Sequence, residues 1–425
     1  MIIKKMWIES SESRSKLCAE ILISKDAVER WKKNSRAIDK NIGLRYRMDE
    51  FKSEDRFVMW YSVPNEYAYS LCSERADAFM VACLYFAMLS EEDLISEVPV
   101  TSALLYQLEY MINRAMHKTS GLKKISVKGL PADPVEKSEH FNGTGGSCGV
   151  DSFTSILLGL EKDVPDSHRL THLVVCNTGA LNFDGYGADI PLSEWRKKTE
   201  KEFSERIEIA KNAAKELSLK VVDIDSNVSE FYQGAFLFSH SYRNCSAVLA
   251  TQKMWSNYYY SSAGHGVYID VNLESLAAGA DLVVLPNISI PGLQFYSGGS
   301  EMSRFDKTMY IADNSTVQRY LNVCSYDTVN CGHCDKCERT MIILDLLGKL
   351  DNFHEAFKDR EYFYKKRWKL MGRILDAKKD DLFYNEMKNY VRDNKIKLGA
   401  KAWIYHFLYP VRRLRWMLVK LLKRG

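Results

Sequence analysis

The sequence predicts an α/β protein with a doubly wound parallel sheet, preceded by an α+β region and followed by a helical tail. Three observations carry that expectation. A glycine-rich turn opens directly into an amphipathic helix over residues 141–160, a strand–helix–strand pattern follows it, and four cysteines crowd into the fourteen residues 324–337. Strands that alternate with helices are what a parallel sheet with helical crossovers requires.

The chain has 425 residues, room for two or three domains and at least one large core, and its apolar fraction of 46% is ordinary for a globular protein. A net charge of +4 is too small to imply nucleic acid by itself. No apolar run reaches the roughly 18 residues a membrane span needs, and Met1–Met6 does not read as a signal peptide, so the expected location is the cytoplasm. Six of the ten cysteines are scattered (Cys18, Cys72, Cys83, Cys148, Cys176 and Cys245), as befits thiols in a reducing compartment. There is no internal repeat and no low-complexity segment.

Residues 1–138 read as an N-terminal α+β accessory domain. Strands are expected over 19–23, 43–48, 56–62 and 125–127, with helices over 76–89 and 102–116. Cys72 and Cys83 lack ligand spacing and read as core residues, while Glu74 and Asp77 read as a solvated helix start. The Gly-Leu-Pro-Ala-Asp-Pro run at 129–134 reads as a linker.

The turn places Gly143, Gly145, Gly146 and Gly149 around Ser147 and Cys148, where φ > 0 and close approach to a ligand are expected. Phe153, Ile156, Leu157 and Leu160 then share one helical face, with Asp151 and Ser152 where an N-cap would sit. A glycine-rich turn feeding a helix N-terminus aims N–H groups and the positive dipole end at one point, which suits a phosphate. The Walker pattern and the dinucleotide fingerprint are both missing. Gly145-Gly146-Ser147-Cys148-Gly149 also fits a G-x-S-x-G nucleophile elbow, which would make Ser147 an acyl-transfer nucleophile.

Beyond the helix, Leu173–Cys176 reads as a strand ending in Asn177-Thr178-Gly179, and a helix over 198–217 stripes Phe203, Ile207, Ala210, Ala214 and Leu217 along one face. Val221–Asp225 is the next strand, and Asp223 or Asp225 at its carboxyl end suits a magnesium ion, a ribose or a plain loop cap. Arg243, at the expected start of another helix, has the fork of a phosphate clamp. His265 lies between two glycines, and Ser297–Ser300 with Arg304 and Lys307 reads as a polar loop carrying two cations over a pyrophosphate.

Cys324, Cys331, Cys334 and Cys337 are separated by six, two and two residues. Two overlapping C-x-x-C knuckles and a further cysteine fit a closed tetrahedral zinc site; an iron–sulfur cluster also takes four cysteines, but Gly332 in the turn favours zinc. Four protein ligands leave no open position, so the metal is expected to be structural.

Ser147-Cys148-Gly149-Val150-Asp151-Ser152 resembles the SGGxDS signature of the PP-loop ATP pyrophosphatase superfamily, with Cys148 where that family has glycine. Together with the cysteine spacing, it is similar to the 7-cyano-7-deazaguanine synthase branch of that superfamily over roughly residues 139–345. Arg243-Asn244 matches a family Arg-Asn step, and the 304–307 segment falls where the family carries a lysine before its cysteines. The resemblance implies a PP-loop α/β fold and an adenylating reaction in which ATP yields AMP and pyrophosphate. A carboxylate, of a deazaguanine or a protein, is activated for attack by ammonia or an amine. By the same resemblance, Gly145, Gly146, Ser147, Cys148, Gly149, Val150, Asp151, Ser152, Asn177 and Asp225 bind ATP with Mg²⁺. Ser147, Asp151, Ser152, Arg243 and Lys307 act in catalysis, and the four cysteines hold Zn²⁺. Two departures bear on the substrate: the long N-terminal region, and Leu285-Pro286-Asn287 where the family has tyrosine-proline-aspartate. Relatives of this synthase in antiphage and polysaccharide gene clusters suggest a role in bacterial defence.

Residues 346–425 read as a helical extension. From Lys401 onward there is no acidic residue, and Arg412, Arg413, Arg415, Lys420, Lys423 and Arg424 are interleaved with Trp403, Tyr405, Phe407, Trp416, Leu418 and Leu422. An anionic membrane, RNA, or docking on the chain itself or a protein partner all fit that pattern, docking or partner binding being preferred. A partner could also meet the N-terminal domain, and a homodimer stays open. Two other functions remain in view: a PP-loop sulfur transferase acting on tRNA, with Cys148 or Cys176 as nucleophile, and a non-catalytic nucleotide-binding subunit of a defence complex. A serine hydrolase would need His333, His354 or His406 as its base.

Overall fold

The computed structural model describes residues 1–42, 56–181, 191–232, 236–263, 277–378 and 381–409. Two compact units emerge, one of residues 1–147 and 154–301, the other of residues 148–153 and 302–425. The first 138 residues therefore fall within the first unit instead of forming one of their own. The strand expected at 43–48, His265 and the basic residues from Arg412 onward lie outside the described residues.

In chain order the strands are β1 (Ile2–Ser10), β2 (Arg14–Leu22), β3 (Arg56–Pro64), β4 (Leu94–Thr101), β5 (Val127–Ala132), β6 (Phe141–Gly145), β7 (His172–Cys176), β8 (Lys220–Ser226), β9 (Trp255–Ser261) and β10 (Gln294–Gly298). The first unit's helices are α1 (Lys25–Ile42), α2 (Asp77–Leu89), α3 (Ser102–Tyr106), α4 (Asn113–Ser120), α5 (Val150–Leu158), α6 (Leu192–Glu216), α7 (Val228–Tyr232), α8 (Phe236–Ala250) and α9 (Ala277–Ile288), of which α5 begins in the second unit. A π-helical turn, Gln107–Ile112, joins α3 to α4.

The ten strands among the described residues form one sheet in the order β10-β9-β6-β7-β8-β3-β2-β1-β4-β5. β6 to β10 pair in parallel throughout, as expected of a doubly wound sheet. The N-terminal strands extend this sheet. β3 runs antiparallel to β8 through Tyr61 and Ser226 and through Ser62 and Asp225, and β1 and β2 continue the antiparallel ladder. β6, β9 and β10 carry no strand expectation from the sequence, and neither do β1 and β4, whose patterns show why. β1 loses its alternation at a register shift between Ile3 and Lys5, and β4 contains Glu97 and Pro99. The expected linker at 129–134 is mostly β5, an edge strand in which Pro131 costs no central ladder bond.

Every residue of α2 is buried, which suits a helix apolar on all sides. Asp77 is consequently no solvated helix start. It is fully buried, and its carboxylate accepts from Thr101 N (2.8 Å), Thr101 Oγ1 (2.6 Å) and Gln252 Nε2 (3.3 Å). Glu74 does reach solvent, paired with Lys253 at 2.6 Å. Phe203, Ala210 and Ala214, on the stripe expected for α6, are buried, the first two in a cluster with Val175 and Leu181.

Among the described residues of the second unit the helices are α10 (Arg304–Ile311), α11 (Ser315–Tyr320), α12 (Asp335–Leu346), α13 (Glu361–Asp376), α14 (Leu382–Asp393) and α15 (Ala400–Phe407). A capping box starts α10, with Ser303 Oγ accepting from Asp306 N at 3.1 Å and Asp306 Oδ2 from Ser303 N at 3.2 Å. Arg304 and Lys307 thus stand on a helix and not in the loop expected from sequence. Arg367 Nε meets Asp345 Oδ2 at 2.8 Å, tying α13 to α12. No helix among the described residues is long and apolar enough to cross a membrane.

Candidate functional site

β6 delivers the glycine-rich turn to the point where the parallel strand order reverses, between β6 and β9. In open α/β sheets, the carboxyl ends of the strands at such a point form a ligand crevice. The glycines do less there than the sequence suggested. A Cβ on Gly143 would lie 3.0 Å from the Trp255 ring, and one on Gly146 would lie 3.1 Å from Val175, so both serve close packing. Gly143, Gly145 and Gly146 all stay outside the left-handed region. Cys148 enters it instead, with φ 56° and its side chain buried.

In the second unit, Cys148 turns the chain into α5. Its carbonyl accepts from Asn322 N at 2.8 Å, and Gly149 O accepts from Phe153 N at 2.9 Å to start the helix. Val150 and Ser152 are buried, and Asp151 is partly exposed at the same first turn. Two cations from α10 converge on Asp151. Arg304 Nη2 donates to Oδ2 at 2.7 Å and Lys307 Nζ to Oδ1 at 3.2 Å, with Lys307 almost fully buried. Arg304 Nε is buried without a hydrogen-bond partner among the described residues. Sequence reasoning missed Arg339 of α12, whose guanidinium lies 4.0 Å from the centroid of the Phe383 ring. Burial and then the nearby Arg304 hold its pKa below the ordinary arginine value, with Asp151 acting in the opposite direction. Only distance in sequence hid it, since it sits two residues beyond Cys337.

The first unit gathers a separate polar group at the carboxyl ends of β7, β8 and β9. Asn177 Nδ2 donates to Asp225 Oδ1 at 2.7 Å, Thr178 donates to Asn244, and Asn244 Nδ2 reaches Tyr260 Oη at 3.4 Å. Burial is the main influence on Asp225, raising its pKa. Asp223 is taken up by Arg14, 2.5 Å away. Arg243 is not at a helix start. It stands in the body of α8, buried, its guanidinium 4.0 Å from the centroid of the Tyr232 ring and its Nε donating to Ser239 at 2.8 Å. A Cβ on Gly179 (φ 110°) would lie 2.6 Å from Arg243 Nη1, so glycine is needed where the chain crosses that guanidinium. Ser147 is exposed in this unit. Burial, reinforced by Asp223, pushes the Cys176 thiol up to about 12, the reverse of an activated nucleophile.

The four cysteines of the second unit converge as expected, their sulfur atoms all within 4.8 Å of one another. Backbone N–H groups of Tyr326, Cys334 and Cys337 point at Cys324, Cys331 and Cys334 sulfur, each at 3.4 Å, which stabilises thiolate charge. Gly332 takes φ 73°, and a Cβ there would lie 2.5 Å from Asp359 O. Asn330 ties the cluster to its surroundings. Its Oδ1 accepts from Val323 and Cys324 N, and its Nδ2 donates to Leu321 O at 2.7 Å and Ala356 O at 2.9 Å. Soft sulfur donors at this mutual distance can hold a metal ion. His333 is an exposed neighbour, and His406 pairs with Asp376 at 2.7 Å on the C-terminal helices.

Compared with known proteins, the chain matches no family model, no curated protein and no solved structure.

Proposed function

We propose that this chain is an ATP-dependent adenylating enzyme that converts ATP to AMP and pyrophosphate through an acyl-adenylate, with a structural zinc ion on Cys324, Cys331, Cys334 and Cys337. The observation that carries the reading is the meeting of Asp151, at the first turn of α5, with Arg304 and Lys307 of α10. The helix N-terminus and the two cations supply donors of the kind a polyphosphate needs. A substrate carboxylate oxygen attacks the α phosphorus, and the bond to the bridging oxygen breaks as pyrophosphate leaves. Negative charge builds on the departing oxygens, where Lys307 and Arg304 donate most strongly. Ammonia or an amine then displaces AMP from the acyl-adenylate.

Asp151 acts here as the residue that orients both cations. Each of its oxygens already accepts from one of them, which fits an anion cradle and not a magnesium ligand. Magnesium would enter with ATP, supplying charge neutralisation. The thiolate set suits zinc, whose closed four-sulfur shell supports folding and leaves no open position for chemistry.

The test is the product of ATP turnover by purified, zinc-replete protein, with and without a carboxy-deazaguanine, resolving AMP plus pyrophosphate from ADP plus phosphate. Carboxylate-dependent AMP is the expected result. Lys307→Met should lower it about 100-fold, the loss typical of one donor to developing charge. Asp151→Ala should do the same. ADP as sole product, or full AMP formation by both variants, would overturn the proposal. ATP binding without turnover would favour a nucleotide-binding subunit.

A further inference from the structure

The last described helix has two unlike sides. On one, α15 is fastened to α13. Ala402 is buried, the Tyr405 ring meets Trp368 edge-on at 5.6 Å, and His406 Nδ1 lies 2.7 Å from Asp376 Oδ1. Gly372 makes that approach possible, since a Cβ there would lie 2.5 Å from the Tyr405 ring. The opposite side carries Trp403, Ile404, Phe407 and Leu408, exposed by 47%, 58%, 73% and 49%. At about 100° per residue these four form one continuous stripe.

Fastening the inner side fixes the outer one in place, so the stripe is a preformed apolar surface. The sequence around and beyond it carries one sign of charge. Residues 401–425 contain Lys401, Arg412, Arg413, Arg415, Lys420, Lys423 and Arg424 and no aspartate or glutamate. On α13, beside the Trp368 that Tyr405 touches, Lys369 is also exposed. Apolar side chains with tryptophan among them, in a stretch of sequence whose charges are all basic, are complementary to one kind of surface above others. The acyl boundary of an anionic bilayer takes the apolar stripe while its headgroups take the cations.

We propose that this end of the chain seats the protein on an anionic membrane surface, with Trp403, Ile404, Phe407 and Leu408 entering the headgroup–acyl boundary. Charge complementarity decides for this occupant. An RNA would use the aromatic rings and the cations but gives the exposed aliphatic Ile404 and Leu408 nothing to bury against. A protein groove would bury the apolar residues but does not account for a stretch free of acids.

Vesicle sedimentation of the full chain tests this, independently of any ATP chemistry. At low salt, phosphatidylcholine vesicles containing phosphatidylserine should carry down at least about tenfold more protein than phosphatidylcholine alone, and high salt should weaken the binding. Trp403→Glu with Phe407→Glu should abolish the excess while leaving the far-ultraviolet circular dichroism and melting temperature unchanged. A second readout avoids dependence on that double variant. Brominated acyl chains should quench the wild-type tryptophan fluorescence more than that of Trp403→Phe. Equal binding to both vesicle types, full binding by the folded double variant, or equal quenching of wild type and Trp403→Phe would each overturn the proposal. So would capture by a single-stranded RNA with vesicles left unbound.

Discussion

The two units use the same residue types in opposite ways. In the first, cysteines are solitary: Cys18, Cys72, Cys83 and Cys245 are each buried, and burial pushes their thiols upward. In the second, four cysteines share a space only 4.8 Å across. Two carboxylates show the same contrast. Asp281 in α9 is fully buried, accepts from Ser241, and has an Oδ2 without a partner among the described residues. Asp151 has two cations. A lone group in a low dielectric gives up its charge, and a partner of opposite charge offsets that cost, as Arg304 and Lys307 do for Asp151 and as Arg14 does for Asp223 in the first unit.

The largest effect should come from separating the clustered cysteines. Protein from zinc-sufficient cells is expected to hold one zinc per chain by atomic emission. Cys334→Ser should lose it and leave the second unit open to proteolysis, because a structural zinc contributes on the order of 10 kcal/mol to local folding. Cys83→Ala should keep full zinc and cost only about 1 kcal/mol, a small buried side chain lost. Full zinc retained by Cys334→Ser would break the contrast between the two units.

Next in size is the lone carboxylate. Burial raises the Asp281 pKa from 3.8 to about 7. Between those values the folded state holds a proton that the unfolded chain has released, so this group lowers stability as pH rises through the window. Asp281→Asn removes that titration. Its stabilising effect over wild type should grow from about pH 4 to pH 7 and level off above, reaching a few kcal/mol. Melting temperatures of both proteins across that range check it; a difference independent of pH would mean that Asp281 has a charged partner after all.

How much of this was legible depended on whether the signal was local. The helix after the turn, β7, β8 and the cysteine cluster are written in short-range spacing, and they stand where spacing put them, whereas β6 reads as part of the turn and β9 and β10 are not expected. β1 and β4 were hidden because a register shift and Pro99 erase alternation. Asp77 was misread because α2 is buried on every side, and burial is a property of what packs against a helix. Arg243 was expected at a helix start, and only the observed start of α8 shows that it lies within the helix. Of the Asp151 cluster, sequence supplied Asp151, Arg304 and Lys307 separately. Their meeting across some 150 residues, and the presence of Arg339, are tertiary facts.

The smallest effect is the most discriminating for the turn itself. Cys148 holds φ 56°, a region that costs a residue with a Cβ about 1 kcal/mol, and it buries a small side chain worth a similar amount. Cys148→Gly relieves the first and forfeits the second, so stability should change by less than about 1 kcal/mol. Cys148→Ala keeps the strained backbone and loses the sulfur, so it should be the less stable of the two variants by about 1 kcal/mol. Chemical denaturation of the pair isolates the backbone contribution, because both lack the thiol. Their turnover separates the functional readings. An adenylating enzyme needs the shape of this turn and no nucleophile within it, so both variants should form AMP within about threefold of wild type. A sulfur transferase working through Cys148 would lose all turnover in both. Loss of AMP in the alanine variant alone would trace the defect to the turn's conformation, since glycine accepts φ 56° without strain.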